Sequence, residues 1–130
     1  TWSSVDYPAD GTAFTVFLDT LNDPNSVGGC FAGHCDWRLP GVDRDFGRKE
    51  LDSLVNLGEA APKIYSIFKA PCAGGCTVTT CSCAATPTLW SSTAYASSPS
   101  HAWGVYFGNG NVDYNPTTSN AAVRAVRGGL

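Results

Sequence analysis

The sequence predicts an α+β domain, because two helical patterns in its first half are followed by strand patterns in its last third. Apolar residues recur at helical spacing over residues 12–22, and a second helical pattern covers residues 48–56. Two segments typical of strands follow, at residues 89–95 and 103–114, and the second contains an Asn-Gly pair. We expect the helices to pack against a small, mostly antiparallel sheet.

Length and charge restrict the classes of protein that fit. At 130 residues, the chain is expected to form a single domain spanning residues 1–130. Its net charge of -3 argues against nucleic acid as a partner, and no apolar run is long enough to insert into a membrane. The chain begins with Thr1 and contains no recognisable signal peptide, so we expect a mature secreted form or an excised domain.

The two predicted helices have recognisable starts. Thr12 is placed to cap the first helix, which ends at the Asp-Pro-Asn sequence of residues 23–25. Gly47 is expected at the N-cap of the second, where Glu50 would reach back as in a capping box. Leu51, Leu54 and Val55 would form its buried face, and Arg48 and Asp52 would pair across one turn.

Residues 103–114 predict a β-hairpin centred on Asn109 and Gly110, because a type I′ turn needs positive φ at both residues. That turn pairs Phe107 with Val112 and Tyr106 with Asp113. The predicted core face comprises Trp103, Val105, Phe107, Val112 and Tyr114. The predicted solvent face comprises Gly104, Tyr106, Gly108, Asn111, Asp113 and Asn115. Residues 123–127 are expected to form another strand.

Six cysteines fall into two clusters, which favours disulfides and an oxidising compartment. We expect one bridge between Cys30 and Cys35. The other four cysteines would form two bridges whose pairing stays open: Cys72, Cys76, Cys81 and Cys83. A four-cysteine zinc site is the competing interpretation of this second cluster, although its spacing lacks the paired C-x2-C knuckles of structural zinc sites.

Five ordered blocks resemble a known family. They are Gly-His-Cys-Asp-Trp-Arg-Leu-Pro at 33–40, Arg-Lys-Glu-Leu-Asp-Ser-Leu-Val at 48–55, Trp-Ser-Ser-Thr at 90–93, Ala-Trp-Gly-Val-Tyr-Phe-Gly-Asn-Gly at 102–110 and Val-Arg-Ala-Val-Arg at 123–127. Together they resemble the C-terminal domain of Lcl-type bacterial collagen-like adhesins, over nearly the whole chain.

The resemblance implies a C-type-lectin-like fold in which two helices flank the sheet, with disulfide-stapled loops. Formylglycine-generating and sulfatase-modifying proteins and retroelement-diversified receptor-binding proteins share that broad fold. The adhesin family implies a position on the bacterial cell surface, trimers in some members, and recognition of glycosaminoglycan-like polymers. This chain departs from the family by inserting residues 41–47 and the 72–83 cysteine segment, so the ligand itself does not carry over.

No catalytic constellation is recognisable. His34 and His101 are the candidates for a base at neutral pH, and neither lies in a known nucleophile or metal motif. We therefore predict no catalytic site, no metal site and no cofactor. Calcium is the alternative cofactor, because Asn111, Asp113 and Asn115 share one predicted face, although the chain has no Glu-Pro-Asn or Gln-Pro-Asp triplet.

The predicted binding surface consists of the hairpin, residues 104–115, and the loop at residues 95–101. Tyrosine supplies rigid contact area at low entropic cost, while Asn and Ser supply adaptable hydrogen bonds. The candidate contact residues are Tyr95, Ser98, His101, Tyr106, Asn109, Asn111, Asp113 and Asn115. The alternative is an ordinary solvated hairpin.

Other aromatic and basic residues are assigned structural roles. Trp37, Trp90 and Trp103 are expected in the core, and Arg38 in a buried ion pair. Arg124 and Arg127 would lie on opposite faces of the last strand, one of them against a carboxylate or the ring of Trp103.

The sequence thus predicts a non-enzymatic, extracellular recognition or adhesion domain, secreted or on the cell surface. Its expected partner is a polysaccharide or a cell-surface protein, bound through the hairpin and its neighbouring loop. The alternative from another class is a structural subunit of a surface fibre or a homo-oligomer such as a trimer. A sulfatase-modifying-type enzyme is the minor alternative, and it requires free thiols.

Overall fold

The computed structural model describes residues 1–5, 9–44, 47, 49–69 and 88–128. Their main element is an antiparallel sheet of three strands in the order β1-β2-β3, formed by β1 (Thr88–Ala94), β2 (His101–Tyr106) and β3 (Asn111–Pro116). The strands predicted at 89–95 and 103–114 are therefore confirmed, and the α+β class with them. Cys72, Cys76, Cys81 and Cys83 lie outside the described residues.

The first predicted helix is confirmed, with an altered first half. A π-helical turn at Ala13–Leu18 continues directly into α1 (Asp19–Asn22). The side chain of Thr12 makes no capping bond to the helix and instead accepts a hydrogen bond from the amino group of Thr1 at 2.8 Å. The Ala13 N–H donates to the Thr1 carbonyl at 2.9 Å, so the N-terminal segment takes over part of the capping.

The second predicted helix is wrong. Within 49–56 the described chain forms one 3₁₀ turn, Asp52–Leu54, and Val55 then joins Ile64 in an antiparallel bridge. Glu50 does not act as a capping residue, because its carboxylate is engaged by Arg38 and by the Gly41 N–H. Arg48 and its expected pairing with Asp52 lie outside the described residues. Two further 3₁₀ turns occur, at Phe31–Gly33 and Ser66–Phe68.

The hairpin has a different register from the predicted one. Val105 pairs with Val112 and Tyr106 with Asn111, so the connection is a four-residue loop rather than a two-residue type I′ turn. The loop is held from outside the hairpin: the Lys63 N–H donates to the Phe107 carbonyl at 2.6 Å. The shift amounts to two residues, which leaves every side chain on its predicted face. Phe107 is accordingly buried and Tyr106 exposed.

Both faces of the sheet are covered by apolar side chains. The first cluster contains Val42, Leu51, Ile64, Leu89, Val105 and Phe107. The second contains Trp2, Ala13, Leu39, Trp90 and Ala102. The neighbours Leu89 and Trp90 point to opposite faces of β1, which is why they belong to different clusters. On the hairpin face that was predicted to be solvated, the solvent-exposed side chains therefore lie mainly on β3, because Ala102 and Gly104 of β2 are buried.

The expected strand at residues 123–127 is also wrong. This segment makes isolated bridges instead, from Val126 to Arg38 and from the preceding Ala122 to Leu89. Trp90 is fully buried as predicted, and Trp2 is buried as well, whereas Trp37 and Trp103 are half-buried. No helix in the described part of the chain has the length and apolar character needed to cross a lipid bilayer.

Candidate functional site

Four rings form a connected group at one end of the sheet. This aromatic cluster consists of Tyr95, His101, Trp103 and Tyr114. The rings of Tyr95 and Tyr114 are stacked, with centroids 4.2 Å apart and planes 6° from parallel. Trp103 meets both tyrosines in T-shaped contacts at 5.4 and 5.5 Å, and His101 contacts Tyr114 in the same manner at 5.6 Å. Such geometries are the favoured ones for aromatic pairs.

The strand register explains why these rings meet. Trp103 lies directly opposite Tyr114 across β2 and β3, and side chains two residues apart share a face. Tyr95 follows β1, and its N–H donates to the His101 carbonyl at 3.0 Å. Trp103 also packs against the first cluster, so it connects the rings to the core. Tyr114 was predicted to be buried on this face, but it is 44% exposed.

Hydrogen bonds fix the imidazole of His101. Its Nδ1 lies 3.2 Å from the Ser98 hydroxyl and 3.1 Å from the Ser100 hydroxyl, and the two hydroxyls are 3.1 Å apart. The Ser100 carbonyl accepts from the Thr117 N–H at 2.9 Å, which ties the loop to the chain beyond β3. The loop at residues 95–101 is therefore held beside the aromatic cluster at several points.

The cation beside the aromatic cluster comes from an unexpected segment. The Arg44 guanidinium lies 6.0 Å from the centroid of the Trp103 ring, within the range of a cation–π contact. Of the two partners expected for Arg124 or Arg127, a carboxylate or this ring, the structure shows the carboxylate. Arg124 lies over the ring of Phe68 at 5.7 Å, and burial lowers the pKa of its guanidinium. Arg127 is 3.4 Å from the carboxylate of Asp36, in an exposed pair.

The opposite face of the hairpin carries a second group of exposed side chains, which we call the polar face: Tyr106, Asn111 and Asp113. Tyr106 is 43% exposed, and its ring lies over Gly108, where a Cβ atom would collide with it. The Asp113 carboxylate accepts a hydrogen bond from the Tyr114 N–H at 2.8 Å. β3 therefore presents side chains to solvent on both of its faces.

The structure divides the eight predicted contact residues between these surfaces. Tyr95 and His101 belong to the aromatic cluster, with Ser98 beside them. Tyr106, Asn111 and Asp113 belong to the polar face, and Asn115 is half-buried on the same side, opposite Ala102. Asn109 lies at the tip of the loop, where its side chain accepts from the Asn111 N–H at 2.9 Å.

A groove of about 620 Å³ was not anticipated from the sequence. It lies between the first helical segment and β1, and Phe14, Leu18 and Thr93 are among the residues lining it. The ion pair of Arg38 and Glu50, with N–O distances of 2.6 and 2.7 Å, forms part of its wall. Because its walls come from segments far apart in sequence, no local pattern could have indicated it.

Cys30 and Cys35 form the expected disulfide. Their bridge closes a short loop, residues 31–34, and Asn22 fixes the chain that follows it. The Asn22 amide group accepts from the Trp37 N–H and donates to the Trp37 carbonyl, at 2.9 and 2.8 Å. His34, one of the two candidate bases, lies in the same loop and is half-buried.

The comparison with known protein families agrees with the resemblance found in the sequence blocks. The family model described as the Lcl C-terminal domain matches residues 2–127. No curated protein and no solved structure matches the chain. The match extends over the first helical segment, the disulfide loop and the whole sheet, so the chain belongs to the Lcl C-terminal domain family.

Proposed function

We propose that this domain is a non-enzymatic recognition module of a bacterial surface adhesin, with a C-type-lectin-like fold. It binds carbohydrate or a protein surface through the hairpin at residues 104–115 and the loop at 95–101. The observation that carries the proposal is the exposure of two tyrosines, Tyr106 and Tyr114, on opposite faces of one hairpin. Tyrosine is enriched at recognition surfaces because it brings a large contact area and a polar end.

Several features support an extracellular setting. The Cys30–Cys35 disulfide is typical of an oxidising compartment. Membership of the Lcl C-terminal domain family suggests a surface adhesin. The hairpin is anchored to the core through Phe107 and Trp103, which would keep its exposed residues in a fixed arrangement before a ligand arrives.

The test is a binding screen with a variant that removes both tyrosines. Wild-type domain and Tyr106→Ala/Tyr114→Ala would be compared on a glycan array and in pull-downs from host cell-surface extracts. The variant should lose at least about tenfold in affinity for whatever the wild type binds, because two ring contacts are removed. Tyr65→Ala is the matched control, since Tyr65 is 49% exposed and lies outside the hairpin. Empty screens, or equal binding by all three proteins, would refute the proposal.

A structural role in a fibre or trimer is the second candidate. It is favoured by exposed apolar side chains at Leu57 and Ile67, which are the kind of residue that subunit contacts cover. Light scattering at high protein concentration tests it. A monodisperse monomer would contradict the assembly role and leave recognition standing. The minor enzymatic alternative requires free thiols, so a thiol titration of the unfolded, unreduced protein that detects none would exclude it.

A further inference from the structure

We propose that the aromatic cluster is a sugar-binding platform that takes the apolar face of a neutral hexopyranose, with Tyr114 as the principal contact. This inference rests on the proposed function and names its ligand class and its site. The sugar binds on the hairpin face that carries Tyr114, which the sequence predicted to be the core face. The polar face does not contact the sugar.

Tyr114 exposes an aromatic ring on a face of the sheet whose neighbouring side chains are more deeply buried. Val105 and Phe107 on the same face are completely buried, whereas Tyr114 leaves 44% of its surface in water. Exposing a large ring has a cost in free energy that a covering ligand would remove. One face of a hexopyranose carries C–H groups that match the face or edge of a tyrosine ring in size and polarity.

The ring of Tyr114 is held rigidly by its neighbours. Tyr114 is stacked on Tyr95, is contacted edgewise by Trp103 and His101, and lies opposite Trp103 in the strand register. A ring held on several sides loses little conformational entropy when a ligand settles on it. Single sugars bind proteins weakly, so a platform that is ordered in advance is the arrangement that makes such a contact detectable.

Hydrogen-bonding groups lie beside the rings of the aromatic cluster. The hydroxyls of Ser98 and Ser100 and the imidazole of His101 can each donate or accept, as sugar hydroxyls can. A protein ligand of standard size would instead need about 800 Å² of contact surface, with a desolvated apolar centre inside a polar rim. The net charge of -3 disfavours a purely electrostatic grip on a polyanion. A neutral sugar therefore fits these surroundings better than a protein surface or a charged polymer.

The test is a nuclear magnetic resonance titration of the whole domain with the methyl glycosides of galactose, glucose and mannose. At least one should shift the indole N–H signal of Trp103, which is assigned with Trp103→Phe, while the signal of the buried Trp90 stays in place. Tyr114→Ala should weaken binding about tenfold or more, and Tyr114→Phe, which keeps the ring, should weaken it by less than about threefold. Tyr65→Ala, which removes a comparably exposed tyrosine outside the hairpin, should bind like wild type.

Each other outcome has a definite meaning. The inference is overturned if none of the three glycosides shifts the Trp103 indole N–H signal at about 100 millimolar. This concentration is roughly the dissociation constant of the weakest binding worth measuring. Loss of sugar binding in Tyr106→Ala but not in Tyr114→Ala also overturns it, yet leaves the proposed function intact. If no sugar shifts the Trp103 signal but a protein binds through Tyr114, the ligand of this site is a protein surface and the sugar inference is wrong. If Tyr114→Ala fails to fold, Tyr114→Leu, which keeps a bulky apolar side chain but removes the ring, takes its place and should likewise weaken binding about tenfold or more.

Discussion

A single guanidinium joins three distant parts of this chain. Arg38 binds both carboxylate oxygens of Glu50, at 2.6 and 2.7 Å, and also the carbonyl of Gly128 at 2.6 Å. The same carboxylate accepts from the Gly41 N–H at 2.9 Å. The hydrogen bonds to Glu50 raise the pKa of Arg38. A raised pKa of a cation means that its contribution to stability is fully present at neutral pH and is lost only in strong alkali.

The pair can be tested by Glu50→Gln, which keeps the shape of the side chain and removes its charge. We expect the free energy of unfolding to fall by about 1–3 kcal/mol, because Arg38 keeps a half-buried charge without its counter-ion. Urea denaturation measures this. Asp36→Asn is the control: its pair with Arg127 is longer and more exposed, so the loss should stay below about 0.5 kcal/mol. Equal losses in the two variants would contradict the structural role of Arg38.

Among the secondary-structure elements, β2 is the central strand of the sheet, and its backbone packs closely against β1 at Gly104. It lies between β1 and β3, and its Gly104 faces Trp90 across the β1–β2 ladder. A Cβ at Gly104 would lie 2.8 Å from Cγ2 of Thr88 and 2.9 Å from the carbonyl oxygen of Leu89. The backbone oxygen cannot move without disturbing β1, so this position requires the absence of a side chain.

Gly104→Ala should therefore lower the free energy of unfolding by about 1–3 kcal/mol, the usual cost of forcing extra atoms into a packed interior. Thermal or urea unfolding gives the value. Gly58→Ala is the matched control, because Gly58 is exposed and its nearest contact for a new Cβ is the Asn56 side-chain oxygen at 3.3 Å. A neutral or stabilising effect of Gly104→Ala would mean that β1 and β2 are less closely packed than described.

At the scale of the whole molecule, much of the chain is loop, and its stability depends on ties between loops and on two apolar clusters. The clusters cover opposite faces of the sheet and draw on residues from Trp2 to Phe107. The Cys30–Cys35 bridge adds a covalent tie, and it closes a loop with a sequence separation of 5. Closing such a loop restricts the unfolded chain more than the folded one.

Removing this bridge with Cys30→Ala/Cys35→Ala should lower the free energy of unfolding by about 2 kcal/mol, as the chain-entropy treatment gives for a short loop. Chemical denaturation under non-reducing conditions measures the change. Val27→Ala, at a fully exposed position just before the bridged loop, should change stability by less than about 0.5 kcal/mol. A double variant as stable as wild type would show that hydrogen bonds alone hold the loop.

The strands, the first helix and the local disulfide could be predicted from the sequence because each depends on residues that are close along the chain, and the family could be predicted because five sequence blocks occur in order over residues 33–127. Side-chain alternation assigned Phe107 and Tyr106 to the correct faces even though the register was shifted by two residues. The ion pair predicted for Arg38 was also correct, although the pair is half-buried rather than buried and its partner could not be named.

The hairpin loop, the absence of the second predicted helix and the composition of the candidate site depend on tertiary contacts and could not be predicted from the sequence. The local preference of Asn-Gly for a tight turn gave way because Gly110 packs against Val55 and Leu57. The helix pattern at 48–56 gave way because Glu50 is engaged by Arg38 and Gly41. Tyr114 joined Tyr95 and His101 because pairing between strands, rather than spacing along one strand, brings rings together. Contacts between distant segments carry more free energy than a local turn or cap, and no local pattern encodes them.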